Sequence, residues 1–306
     1  MALLTSTMIR PPRLKPGDTI GIVAPAGPFD RDLFAQGLSA LQSMGFETRV
    51  PNEVFERTGY LAGADAHRAR LVNQLFEEPE VRAIVCARGG FGCLRMLPLV
   101  DFDVIRSHPK IFVGFSDITA LLAAITDRSG LVTFHGPMVT SFATAPEMTR
   151  RSLTAAFASD TPLEIVPAGG VVLQAGRATG PVIGGNLATL CHLLGTPFEA
   201  GLENHILLLE DRGEAPYRID RMLSQMKLAG SFKGIAGIIL GHFKDCGNLD
   251  DIFRIFQDHF QDMQIPILAG FDIGHGKQNL TIPVGITATL NTDRQLLSFA
   301  QPATIG

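Results

Sequence analysis

The sequence predicts an α/β fold in two domains, and three observations carry that prediction. The chain has 306 residues, long for one core when a domain takes roughly 100–200. Its 46% hydrophobic and 18% charged residues describe a polypeptide that buries enough apolar surface to offset the entropy of ordering. Its first half alternates short apolar runs with stretches of helical period. A repeated strand, loop and helix builds a parallel sheet with helices on both faces.

Taken in order, "TIGIVAPAGP" reads as a buried strand entering a Pro/Gly turn, and the helix after it keeps Leu33, Leu38, Leu41 and Met44 on one face. "FETRV" is a second strand. A helix around Arg68 to Phe76 follows, with Leu71, Val72, Leu75 and Phe76 as its buried stripe, then the strand "VRAIVCA" ending in "RGGFG". "IFVGF" leads into a helix after Ser116, whose Ile118, Leu121, Leu122 and Ile125 share a face, and "LVTFHGPM" adds a further strand. This succession is flavodoxin/Rossmann-like and is assigned to residues 1–160. From about Ser141 to Gly180 the alternation weakens in "FATAPEMTR" and "SDTPLEIVPAGG", so a linker is expected at 161–180.

Residues 181–306 are expected to form a smaller, mixed α/β domain. "GPVIGGNLATLCHLLG" opens it, followed by the strand "HILLLED" and a helix from about Tyr217 with Ile219, Met222, Leu223 and Met226 on one face. The strand "GIAGIIL" and a helix near Asp251 to Phe260 come next, and the tail through "GITATLN" alternates like an antiparallel strand.

A net charge of -4 offers nothing to a phosphate backbone, so nucleic acid is not an expected partner. "MALLTSTMIRPPRLKPGD" holds only a brief apolar run before arginine and prolines, and no segment approaches the roughly 20 apolar residues of a membrane span. A soluble cytoplasmic protein without membrane partners is expected. Cys86, Cys93, Cys191 and Cys246 include no Cys-x-x-Cys pair and read as buried reduced thiols. The eight histidines show no His-Glu-x-x-His spacing. No metal and no cofactor are expected.

Ser116 lies at the carboxyl end of a buried strand, where a parallel sheet binds ligands and the next helix directs its free N–H groups at developing negative charge. It suits a nucleophile. A helix N-cap is the reading this stretch alone favours, and Gly-Phe-Ser-Asp departs from the Gly-x-Ser-x-Gly elbow. The glycines of "ARGGFG" let backbone N–H groups reach a bound oxygen; the same stretch also reads as a tight turn or a weak phosphate loop. A serine needs a base and the base an orienting group. His275, flanked by glycines in "DIGHGKQN", is the histidine best suited to an accessible loop, while His135, His192, His205 and His242 read as core or edge residues. Glu210 ends the run "ILLL" and either serves a site or merely finishes a strand.

Together, "LKPGDTIGIVAPAGP", "ARGGFGCLRMLPLVDFDVI", "IFVGFSDITALL", "TFHGPM", "GPVIGGNLATLCHLLGTPFE", "LLLEDRGEAPYRIDRML" and "PILAGFDIGHGKQNLTIPVG" resemble the LD-carboxypeptidase family of serine peptidases over about Leu14 to Leu290. That family includes murein tetrapeptide carboxypeptidases and microcin C immunity peptidases. The resemblance implies a Ser-Glu-His triad at Ser116, Glu210 and His275, with the nucleophile in the first domain and the other two in the second. It also implies backbone oxyanion donors at Asp117 and Gly90, a murein peptide substrate losing a terminal D-Ala, and a homodimer. Arg88 and Arg212 flank the motifs and are candidates for a substrate carboxylate, with surface ion pairing as their other reading. Glu214 and Arg218 read as supporting or helix-capping residues. Cleavage of peptidyl or aminoacyl nucleotides is the alternative activity. The absence of Trp excludes indole stacking on an adenine, though 20 Phe leave ring stacking open. A non-catalytic α/β ligand-binding module is the alternative of another class.

Overall fold

A computed structural model describes residues 8–306. Residues 1–7, on which part of the leader-segment reading rests, lie outside the described residues. The first half runs β1 (Thr19–Val23), α1 (Arg31–Ser43), β2 (Glu47–Arg49), α2 (Asp65–Glu77), β3 (Val81–Cys86), α3 (Cys93–Met96), α4 (Phe102–Ser107), β4 (Ile111–Gly114), α5 (Thr119–Ser129), β5 (Thr133–His135), α6 (Val139–Phe142) and α7 (Glu147–Ala158). The second half runs β6 (Glu164–Ile165), β7 (Val171–Gln174), β8 (Arg177–Asn186), α8 (Leu187–Leu193), β9 (Ile206–Arg212), α9 (Pro216–Leu228), β10 (Gly237–Lys244), α10 (Leu249–Phe260), β11 (Ile267–Ala269), β12 (Ile282–Val284), β13 (Thr287–Asn291) and β14 (Leu296–Phe299).

Strands β2-β1-β3-β4-β5 form a parallel sheet in that order. Its strands are apolar on both sides because both faces are covered: Ala83 and Val85 of β3 enter one hydrophobic cluster, Ile84 and Cys86 the other. The second sheet, ordered β6-β14-β13-β8-β9-β10-β11-β7, is parallel over β8 to β11 and antiparallel at both flanks. The mixed α/β expectation holds.

Three details depart from the sequence reading. Residues 161–180, expected as a linker, supply β6, β7 and the start of β8 to the second sheet. β6 and β7 are two and four residues long and partly exposed, too brief for their apolar residues to stand out from the flanking Pro and Gly. Leu33 is 40% exposed. The α1 stripe is instead Phe34, Gly37, Ala40 and Leu41, because Gly37 must face α6: a Cβ there would sit 1.9 Å from the Val139 carbonyl oxygen. Finally, β12 leaves the second half of the chain and pairs antiparallel with β5, stitching residues 282–284 into the first sheet. All four cysteines are buried and free.

Candidate active site

The sheet delivers Ser116 through a sharp turn. Phe115 is fully extended and Ser116 takes φ +64°, a left-handed backbone that disfavours any residue with a Cβ. Two glycines make room: a Cβ on Gly114 would lie 2.7 Å from Ile118 Cγ2, and one on Gly89 3.0 Å from Ser116 Cβ. A single 3₁₀ turn then leads into α5, and no side chain caps either element. The N-cap reading of Ser116 therefore fails. Its hydroxyl is turned away from the helix, 3.2 Å from His275 Nε2.

His275 sits in the loop between β11 and β12. Its Nδ1 is 2.6 Å from Glu210 Oε2, and its backbone N–H donates to the same oxygen at 3.2 Å. An ionised carboxylate only accepts, so Nδ1 carries the proton and Nε2 accepts from the Ser116 hydroxyl. Phe115 packs edge-on against the imidazole, with ring centroids 4.9 Å apart. Glu210 is fully buried at the end of β9. Gly274, at φ +92°, lets the histidine loop descend onto it, since a Cβ there would overlap Glu210 Oε2 at 2.2 Å. Hydroxyl, imidazole and carboxylate thus stand in series, an arrangement able to take a proton from the hydroxyl as it attacks.

The glycine pair of "RGGFG" faces the same serine. Gly27 N–H donates to the Gly89 carbonyl at 3.1 Å, and Gly90 takes φ +116°. Among the described residues no protein group accepts from the N–H of Gly90 or of Asp117. The Asp117 side chain is occupied: its carboxylate accepts from Cys93 N–H at 2.8 Å, which pins the end of the glycine loop. Burial pushes its carboxyl pKa up, and the Cys93 N–H opposes that.

Arg68 completes the clamp. Fully buried, it donates to the carbonyls of Pro25, Gly63 and Gly92 and pairs with Asp65. It escaped the sequence reading, although its spacing to Leu71 and Val72 puts it on the buried face of α2. Asp211, beside Glu210 in "LLLED", is a second acid that the sequence does not single out. It accepts from Asn186 Nδ2, Ala188 N–H and Arg212 N–H at 3.0, 2.9 and 2.7 Å. Asn279, in the quoted "GHGKQN", accepts from Gly274 N–H at 2.8 Å. Of the two candidate arginines, Arg88 donates to the Pro28 carbonyl at 2.6 Å and Arg212 pairs with Asp245 at 3.5 Å. Neither has a hydrogen bond to Ser116, His275 or Glu210. Glu214, just before α9, pairs with Arg218 in its first turn at 3.5 Å.

Residues 20–136 match the family model described as the LD-carboxypeptidase N-terminal domain, and residues 179–290 the one described as the LD-carboxypeptidase C-terminal domain. The chain belongs to the LD-carboxypeptidase family. It is 37% identical to the probable murein peptide carboxypeptidase of Bacillus subtilis, over 92% of each chain. With the murein tetrapeptide carboxypeptidase of Pseudomonas aeruginosa it shares 32% identity over 90% of this chain and 94% of the other. The solved wild-type apo structure of the microcin C7 self-immunity protein MccF superposes with a TM-score of 0.90 at 28% identity, covering 97% of this chain and 100% of that one. LD-carboxypeptidase family membership makes the chain a peptidase by kinship and agrees with its α/β architecture. No described helix is long and apolar enough to cross a membrane.

Proposed function

We propose that the protein is a cytoplasmic serine carboxypeptidase that cleaves an L-to-D peptide bond and releases the terminal D-Ala of murein tetrapeptides, as in peptidoglycan recycling. The observation that carries the reading is the series from Ser116 Oγ through His275 to Glu210, at 3.2 and 2.6 Å. Ser116 attacks the carbonyl, His275 Nε2 takes the hydroxyl proton and returns it to the leaving amine, and Glu210 holds the imidazole. Water then adds to the acyl-enzyme and frees the serine. The N–H groups of Gly90 and Asp117 bind the developing oxyanion, each worth roughly 3 kcal/mol in comparable sites. Arg88 and Arg212 are the candidates for a terminal carboxylate, each exchanging its present partner to bind it. A homodimer belongs to the same reading, and sedimentation tests it.

The likeness to the immunity protein supports a second reading, hydrolysis of the amide in a peptidyl or aminoacyl nucleotide. Mass spectrometry of products, with murein tetrapeptide and a peptidyl adenylate analogue offered side by side, separates the two. Release of D-Ala alone is expected. Ser116→Ala should lower turnover by a factor on the order of 10⁶, because such groups act as a unit. A variant as fast as the parent would end the assignment. A serine-reactive probe that labels neither protein would instead indicate a ligand-binding module.

A further inference from the structure

One buried titratable side chain beside the site takes no part in the chemistry above. His135 ends β5, paired in register with Gly114 of the nucleophile's strand and with Ile282 of β12. It is fully buried, and neither ring nitrogen has a protein partner among the described residues. Across the domain boundary β8 comes so close that a Cβ on Gly185 would lie 3.1 Å from His135 Nδ1. Asn186, the next residue of β8, is in register with Glu210. Phe115 packs against both His135 and His275, with ring centroids 5.9 and 4.9 Å away.

Glu210 carries the matching deficit. Oε2 receives the ring and backbone N–H groups of His275, whereas the buried Oε1 has no protein partner among the described residues. A buried carboxylate oxygen left unserved costs its full desolvation penalty. We propose that His135 is a positioning residue for Glu210, its ring N–H serving Oε1 through a bridging water and so fixing the carboxylate that orients His275. Such a water needs two or more polar partners, and these two side chains provide them. The ring is suited to the part: burial holds its pKa down to about 4, against the pull of Glu210, so it stays neutral with one N–H to give. The other charged or titratable groups around this carboxylate are His275, Asp211 next on β9, and the His242–Asp272 pair, 3.4 Å apart, whose histidine abuts Gly276.

The inference rests on the triad reading, and the test separates the two. His135→Phe removes the donor and keeps a ring; His135→Gln restores an N–H. With murein tetrapeptide, His135→Phe should lower kcat/KM about tenfold, the worth of one hydrogen bond to a charged group. The acidic limb of its pH profile should move to higher pH, because the unprotonated, net-negative Glu–His pair loses a stabilising donor. The low-field proton signal of His275 Nδ1–H should move downfield as charge concentrates on Oε2. His135→Gln should recover much of both effects. A folded His135→Phe with the parent's profile and proton shift overturns the proposal, as does a His135→Gln no different from His135→Phe. The proton signal needs no substrate, so it decides the role of His135 even if the parent releases no D-Ala, a result that would sink the proposed function alone.

Discussion

Two neighbouring acids at the end of β9 are treated very differently by their surroundings. Glu210 faces the histidine, while Asp211 points back into the second domain and holds Asn186, the N-cap of α8, which itself accepts from Thr189 N–H at 3.0 Å. Burial pushes the Asp211 carboxyl up to about 6, opposed by the N–H groups of Arg212 and Ala188. A carboxyl raised above its ordinary ~3.9 binds its proton more tightly folded than unfolded. Its contribution to stability is therefore complete below about pH 4 and lost as pH rises through about 6. Two units correspond to on the order of 2–3 kcal/mol. Asp211→Asn cannot titrate, so the stability of the parent relative to this variant should fall by about that amount between pH 4 and pH 7, as measured by urea melts. A difference independent of pH would mean that the three N–H donors already hold Asp211 ionised across that range.

At the scale of elements, the glycine loop is shaped from behind by α2. Arg68 reaches from the buried face of that helix to three loop carbonyls, and Asp117 holds the first N–H of α3. Arg68→Met fills most of the space but leaves those carbonyls unserved and frees Asp65 to pair with Arg95 alone. About 3 kcal/mol of stability should go, read from the denaturant midpoint. Acylation of Ser116 by a serine-reactive probe should also slow, because the Gly90 N–H loses its support. Unchanged labelling in a destabilised Arg68→Met would confine the arginine to a structural role. Such contacts mark where sequence reading stops. Strands β1, β3 and β4 and the helices between them were legible because burial on both faces leaves apolar runs. That Ser116, Glu210 and His275 would meet was legible through their motifs. The pairings of β6, β7 and β12 were not, since two- to four-residue strands on sheet flanks are fixed by partners far along the chain, as with Ile282 and His135. Arg68 was hidden for a related reason: its worth lies in carbonyls 24 and 43 residues away.

For the whole molecule, the decisive feature is how His275 is suspended. Its loop leaves β11 in the second sheet and ends at β12 in the first, so a single segment spans both domains and presents the imidazole between Glu210 on one side and Ser116 on the other. Alignment of the three groups depends on where both ends are moored. The far end is tied to α7: Asn279 N–H donates to Thr149 Oγ1 at 3.1 Å and Thr281 N–H to Ser152 Oγ at 2.9 Å. Asn279 then returns to the site through Gly274 N–H. Thr149 is 2% exposed and has no hydrogen bond to any of the three. Thr149→Val preserves its shape and leaves one buried N–H without a partner, a cost of about 1–3 kcal/mol. If the mooring sets the alignment, the variant should also lose roughly tenfold or more in kcat, since small displacements of a reacting group are expensive, while KM stays near the parent value. Stopped-flow acylation alongside denaturant melts checks both. A variant destabilised by the expected amount that still acylates at the parent rate would show that β11 and Glu210 alone hold His275 in place.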